Sequence, residues 1–189
     1  IAPIYGSVDL RNAGFKIAPI DMNLFPAGFN NLNPDHLLCF VQAAQEAVLE
    51  HVPTAKHILV IPENHTRNLF YWENIAMLRT ILQAAGLEVR FGTLSAEITQ
   101  PLTIELSAGK SVLVEPLQRN GDVLSVEGFT PDLILLNNDL SDGIPEILQK
   151  LSCPLIPPAE LGWSQRLKSL HFQYYAEVAS EFSDAFAMD

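Results

Sequence analysis

The chain has 189 residues, 48% of them hydrophobic and 17% charged, and its 11 basic against 22 acidic residues give a net charge of −11. That length allows one domain, or one domain with a short appendage, and a sizeable core; the acidic balance, with no basic cluster, argues against a nucleic-acid partner. No run of about 18 apolar residues offers a membrane span, and no stretch reads as a signal peptide. The two cysteines, Cys39 and Cys153, share no CxxC spacing, so both read as buried reduced thiols in a cytoplasmic setting.

In chain order, residues 15–20 form an apolar strand that empties into Asp21-Met-Asn23, followed by a loop to Asn33 rich in Asn, Pro and Gly. Asn33-Pro34 is a helix start, with Asn as cap and Pro in the first helical position. The helix runs to about His51, with Leu37, Val41, Ala44 and Val48 on its buried face. Residues 57–62 are a continuous apolar run, the pattern of a parallel strand buried on both faces. It empties into Glu63, Asn64, His65, Thr66, Arg67 and Asn68, the mouth at which α/β proteins bind ligands. A second helix spans residues 68–85 and stops at Gly86, and residues 87–91 complete a strand-helix-strand unit.

The period then changes. Two hairpins are expected around Ser107-Ala-Gly-Lys110 and Arg119-Asn-Gly-Asp122, an antiparallel excursion over residues 101–127. Residues 133–136 return to the central sheet and run into Asn137-Asn-Asp139. A short helix over 144–151, a strand over 154–157 and a long helix capped by Ser164 close the chain. The fold class is therefore α/β: a mostly parallel, Rossmann-like sheet flanked by helices, with the hairpin excursion attached. If the three strands that empty into polar clusters are parallel neighbours, Asp21, Glu63 and Asn137 line one edge of one sheet.

Other motifs carry less. Ala108-Gly-Lys-Ser111 copies the end of a phosphate-binding loop, but the required first Gly falls at position 104, which is Ile, and hairpin strands flank it. No GxGxxG occurs. The five His residues and two Cys residues lack metal-ligand spacing, so no metal ligands are expected. Glu63 and Arg67 could simply pair and cap the second helix, or Arg67 and the helix start could receive an anion. Arg166, Lys168 and His171 open the last helix beside Trp163, either as a solvated face or as a basic clamp for an acidic substrate.

At Asn23-Leu-Phe-Pro-Ala-Gly-Phe-Asn-Asn-Leu-Asn33, Ile61-Pro-Glu-Asn-His-Thr-Arg-Asn-Leu-Phe70, Leu135-Leu-Asn-Asn-Asp-Leu-Ser141, Gly162-Trp and Lys168-Ser-Leu-His-Phe172, the chain resembles the proteobacterial type of glutamate–cysteine ligase. The resemblance spans nearly the whole chain. It implies formation of γ-glutamylcysteine from glutamate and cysteine, the first step of glutathione synthesis. The reaction would use ATP and Mg2+ through a γ-glutamyl phosphate, with the cysteine amine as nucleophile. Members are about twice this length, so the resemblance implies that residues 1–163 are a substrate-binding, pre-ATP-grasp-like domain. Residues 164–189 would be a helix leading into a missing ATP-grasp-like region that holds most of the ATP and Mg2+ site, leaving this segment inactive alone.

On that reading Arg67 holds a substrate carboxylate and Glu63 or Asp139 an ammonium. Asn23, Asn30, Asn31, Asn64, Asn68, Asn137 and Asn138 fix orientation, with Asp21, His65, Thr66, Arg166, Lys168 and His171 completing the candidate set. Catalytic roles stay unassigned and self-association stays open. The alternative, from another class, is a non-catalytic module that binds a small anionic metabolite.

Overall fold

The computed structural model describes residues 4–64, 67–165 and 167–186, except for the side chains of Lys168 and His171. His65, Thr66 and Arg166 lie outside the described residues.

Six strands make the main sheet: β3 (His57–Pro62), β4 (Glu88–Thr93), β5 (Leu102–Glu105), β6 (Ser111–Pro116), β9 (Leu133–Asn137) and β10 (Leu155–Ile156), in the order β10-β9-β3-β4-β6-β5. All neighbours are parallel except β5, which runs antiparallel to β6 at the edge. Two further ribbons stand apart, β1 (Ser7–Asn12) with β2 (Ile17–Asn23), and β7 (Gln118–Asn120) with β8 (Val123–Ser125).

Strand alternation divides the core. Ile58, Val60, Leu133, Leu135, Val89 and Phe91 pack on one side with α1 (Leu37–His51) and α2 (Leu69–Ala84). Leu59, Ile61, Ile134 and Leu136 point the other way, onto Leu124, Val126 and Phe129 at the second ribbon and onto Leu140 and Leu148 from the loop after β9. Inside the sheet, the buried Glu115 is answered by the Arg90 guanidinium, Nε donating at 2.7 Å, and Arg90 also lies over the Phe129 ring.

Several expectations are met. The Asn33 side chain caps a turn at Pro34–His36 that leads into α1, and both hairpins form. Asn68, expected as the first residue of the second helix, instead caps it by accepting from Tyr71 N at 3.2 Å. The first hairpin is attached to the parallel sheet as its edge, with β6 pairing parallel to β4 and β5 antiparallel to β6.

Others need correction. Residues 15–20 do not join the main sheet; β2 pairs only with β1, so Asp21 sits across the ribbon from Asp9 and away from the edge of Glu63 and Asn137. The physical reason is burial: Phe15 and Ile17 stay exposed, whereas an inner parallel strand hides both faces. The helix expected over 144–151 shrinks to one turn at Glu146–Leu148, preceded by Pro145 and followed by Lys150 at φ 52. The last helix, α3 (Lys168–Phe186), begins four residues beyond Ser164, whose hydroxyl is buried without a partner among the described residues. Cys39 is exposed on α1 and Cys153 half-buried, and both are free. No helix among the described residues is long and apolar enough to cross a membrane.

Candidate functional site

From β3 the chain proceeds outward to β4 and β6, whereas β9 and β10 lie on the opposite flank. The connection after β3 goes to α2 on one side of the sheet, and the loop after β9 packs on the other. Two neighbouring parallel strands whose connections part in this way leave a crevice at their carboxyl ends. Pro62 pairs with Asn137, so Glu63 and Asn138 emerge side by side. An open cleft of about 480 Å3 lies there, lined by Glu63, Asn64, Asn138, Asp139, Ser141, Asp142, and by Asn23 and Phe25 of the loop after β2.

A buried hydrogen-bond hub builds the cleft floor. The Tyr71 hydroxyl accepts from Glu63 N at 2.7 Å and donates to Asn137 Oδ1 at 3.0 Å. Asn137 Nδ2 donates to Tyr5 Oη at 3.2 Å and to Pro26 O at 3.0 Å. Burial raises both phenols well above the usual tyrosine range, so both stay protonated. Asn74, on the buried face of α2, accepts from Gly28 N and Phe29 N at 2.7 and 2.8 Å. Gly28 stands at φ 135, a conformation open to glycine, and lets two successive N–H groups face one oxygen. Asn74 and Asn137 thus tie the loop after β2 to α2 and to the sheet. That is how Asn23 reaches the cleft although its strand is elsewhere.

Glu63 is the centre of the site. Its Oε1 accepts from Asp139 N at 2.6 Å. Burial raises its pKa from 4.5 to about 7; the Asp139 N–H bond offsets part of this, and the charges of Asp139 and Asp142 push it further up. No described ion pair joins it to Arg67, so the two do not form the capping pair that the sequence allows. A carboxyl held near neutrality among other carboxylates gains charge when a cation arrives beside it.

The wall after β9 is tightly set. Asn138 donates to Pro62 O at 3.1 Å and accepts from Leu140 N at 3.0 Å, and Leu140 takes φ 51, a strained value for a branched side chain. The Asp139 carboxylate is held by Ser141 N and Oγ at 2.9 and 2.6 Å, and Asp139 O accepts from Trp163 N at 2.8 Å. A Cβ at Gly162 would come 2.7 Å from Asp139 O, so this close approach needs glycine.

Of the residues expected at the site, Asn23, Glu63, Asn64, Asn138 and Asp139 come together in the cleft. Asn137 lies beneath it, with its amide spent on protein partners. Arg67 is exposed next to the cap of α2, and Asn30 and Asn31 are exposed in the loop. Asp21 is elsewhere, and Lys168 and His171 belong to α3. Tyr5, Tyr71 and Asn74 were not foreseen. Asn74 had one signal, a polar residue of weak helix preference among the apolar positions of α2.

The fold defines an α/β domain built on a mostly parallel sheet, with a polar cleft at the point where the connections after β3 and β9 part to opposite faces. The model of the GshA glutamate-cysteine ligase family matches residues 1–189, and the chain belongs to that family. It is also similar to a crystal structure from Methylobacillus flagellatus KT, provisionally described as a gamma-glutamylcysteine synthetase, with 54% identity and a TM-score of 0.94. The match covers 100% of this chain and 44% of that one, so the chain spans less than half the length of its structural relative. No curated protein matches the chain.

Proposed function

We propose that this chain is the substrate-binding portion of an ATP-dependent, cytoplasmic ligase that joins glutamate to cysteine as γ-glutamylcysteine. The observation that carries the reading is Glu63: a carboxyl of raised pKa at the switch point of a chain in this family. The ammonium of an amino acid entering the cleft would favour ionised Glu63, with the Asp139 N–H holding the carboxylate in place. Asn23 and Asn64 offer amide N–H groups around it, and Arg67, exposed beside the cap of α2, would suit a carboxylate through its planar fork. Holding the amino acid by both charged ends leaves its side-chain carboxyl as the reacting group, and such fixing of geometry lowers the barrier by reducing the entropy still to be lost.

The cleft does not suit a polyphosphate: Glu63, Asp139 and Asp142 line it, and no described basic side chain does. Nor is there a described cluster of three His, Cys, Asp or Glu residues able to hold a metal. In this proposal ATP and Mg2+ therefore bind in another part of the polypeptide, in an ATP-grasp-like region.

A coupled phosphate assay on the full polypeptide tests the reading. Phosphate release from ATP that requires both glutamate and cysteine is expected, whereas residues 1–189 alone are expected to give none. Amino-acid-independent or absent turnover by the full polypeptide would favour the binding-module reading.

A further inference from the structure

The first ribbon and α3 present an apolar surface that the rest of the described chain leaves open. Register sets Val8 opposite Met22 and Leu10 opposite Pro19, so the four share one ribbon face. Val8, Pro19 and Met22 look across a groove of about 310 Å3 at Phe172 and Tyr175 of α3. Along α3, Leu170, Tyr174, Val178, Phe182 and Phe186 recur every four residues, a stripe that winds round the helix by about 40° per step. All five are exposed, Val178 by 61% and Phe186 by 65%. Packing of an apolar stripe supplies most of a helix's stability, and an uncovered apolar surface of this extent marks an interaction site.

We propose that groove and stripe form one intramolecular interface, covered by a further part of the same polypeptide. That part is the counterpart of the portion of the Methylobacillus protein, more than half, that this chain does not span. Two observations favour it over a second copy. The likeness to that protein covers the whole of this chain, ribbon and α3 included, so the same fold recurs within a chain more than twice as long. A second copy would also bring a body of the same −11 charge to a helix that already carries Glu177, Glu181 and Asp184. The occupant's chemistry follows: an apolar patch with a neutral or basic rim.

This inference is independent of the substrate assignment, and loss of ligase activity would leave it standing. Hydrogen exchange in the full polypeptide, at two concentrations a hundredfold apart, decides it. Amides of residues 170–186 are expected to exchange at least ~100-fold more slowly than those of an uncovered helix at both concentrations. Val178→Glu with Phe182→Glu should speed them by about tenfold or more, and Ser180→Glu should not. If the double variant fails to fold, the wild-type protein at both concentrations still gives the answer. Protection that vanishes on dilution, together with a halving of the mass in light scattering, overturns the proposal in favour of a second copy. Rapid exchange at both concentrations, or a gene that stops at residue 189, overturns it outright.

Discussion

The two ends of the β3–β9 pair hold carboxyl groups in opposite states. At the amino end, Asp132 Oδ2 accepts from Lys56 N at 2.8 Å and His57 N at 2.9 Å, with His57 Nδ1 3.3 Å away. Burial works against its charge, but the two N–H bonds and the imidazole outweigh burial and hold the carboxyl below the usual range. At the carboxyl end, burial is the largest influence on Glu63, one N–H offsets it in part, and two acidic neighbours add to it, so its pKa rises to about 7. A carboxylate surrounded by donors is a structural clip. One surrounded by acidic neighbours favours a cation, the chemistry that the proposed function asks of Glu63.

The largest effect should come from removing what supports the second end. Asn137→Ala leaves the Tyr71 hydroxyl without its side-chain acceptor and Pro26 O without its donor, each in a buried position. Urea denaturation is expected to show a loss of about 3 kcal/mol or more. A loss under about 1 kcal/mol would mean that water replaces the hub and that the loop after β2 is not held by it.

Next comes Glu63→Gln, read against pH. Because the folded protein holds this proton more tightly than the unfolded chain, Glu63 favours folding below about 4.5 and loses that contribution as pH rises to about 7. The wild type should weaken across that window relative to the Gln variant by about 1–2 kcal/mol, allowing for screening at the open side of the cleft. Parallel stability curves for the two proteins would show that Glu63 titrates as an ordinary carboxyl.

Asp132→Asn should give the opposite sign at the other end. A depressed folded pKa contributes stability above the ordinary 3.8 that is lost as pH falls through the folded value. The side chain is partly exposed, so the wild-type advantage at neutral pH is expected to be about 0.5–1 kcal/mol and to shrink below pH 4 in acid titration. An advantage that instead grew in acid would reverse the assigned direction.

The smallest effect on folding belongs to Arg67→Lys, since the residue is exposed and makes no described ion pair. Stability should stay within about 0.5 kcal/mol, while the KM for glutamate in the full polypeptide rises a few-fold as bidentate contact is lost. Unchanged glutamate kinetics in the folded variant would remove Arg67 from the site.

Much of the sheet was legible because buried parallel strands leave a local signature. The runs at 57–62 and 133–136 are apolar at nearly every position, and Asn33-Pro34 marks a helix start by side-chain chemistry that acts within three residues. The strand over 17–23 misled for a related reason. An exposed ribbon and an inner strand share apolar content, and only the pairing partner separates them, here β1 through a register that includes a bulge at Asp9 and Leu10.

The sequence by itself therefore determined the α/β class, the family, and the polar ends after β3 and β9, because periodicity, caps and motifs are local properties. Tertiary structure decided which of those ends meet. It left Asp21 aside, brought Asn23 in through the amides of Asn74 and Asn137, and turned Glu63 from one carboxyl among many into one held near neutrality. The physical reason is distance: Asn137 is bonded to Tyr5, Pro26 and Tyr71, residues 132, 111 and 66 positions away, and Glu63 meets Asp139 76 positions away.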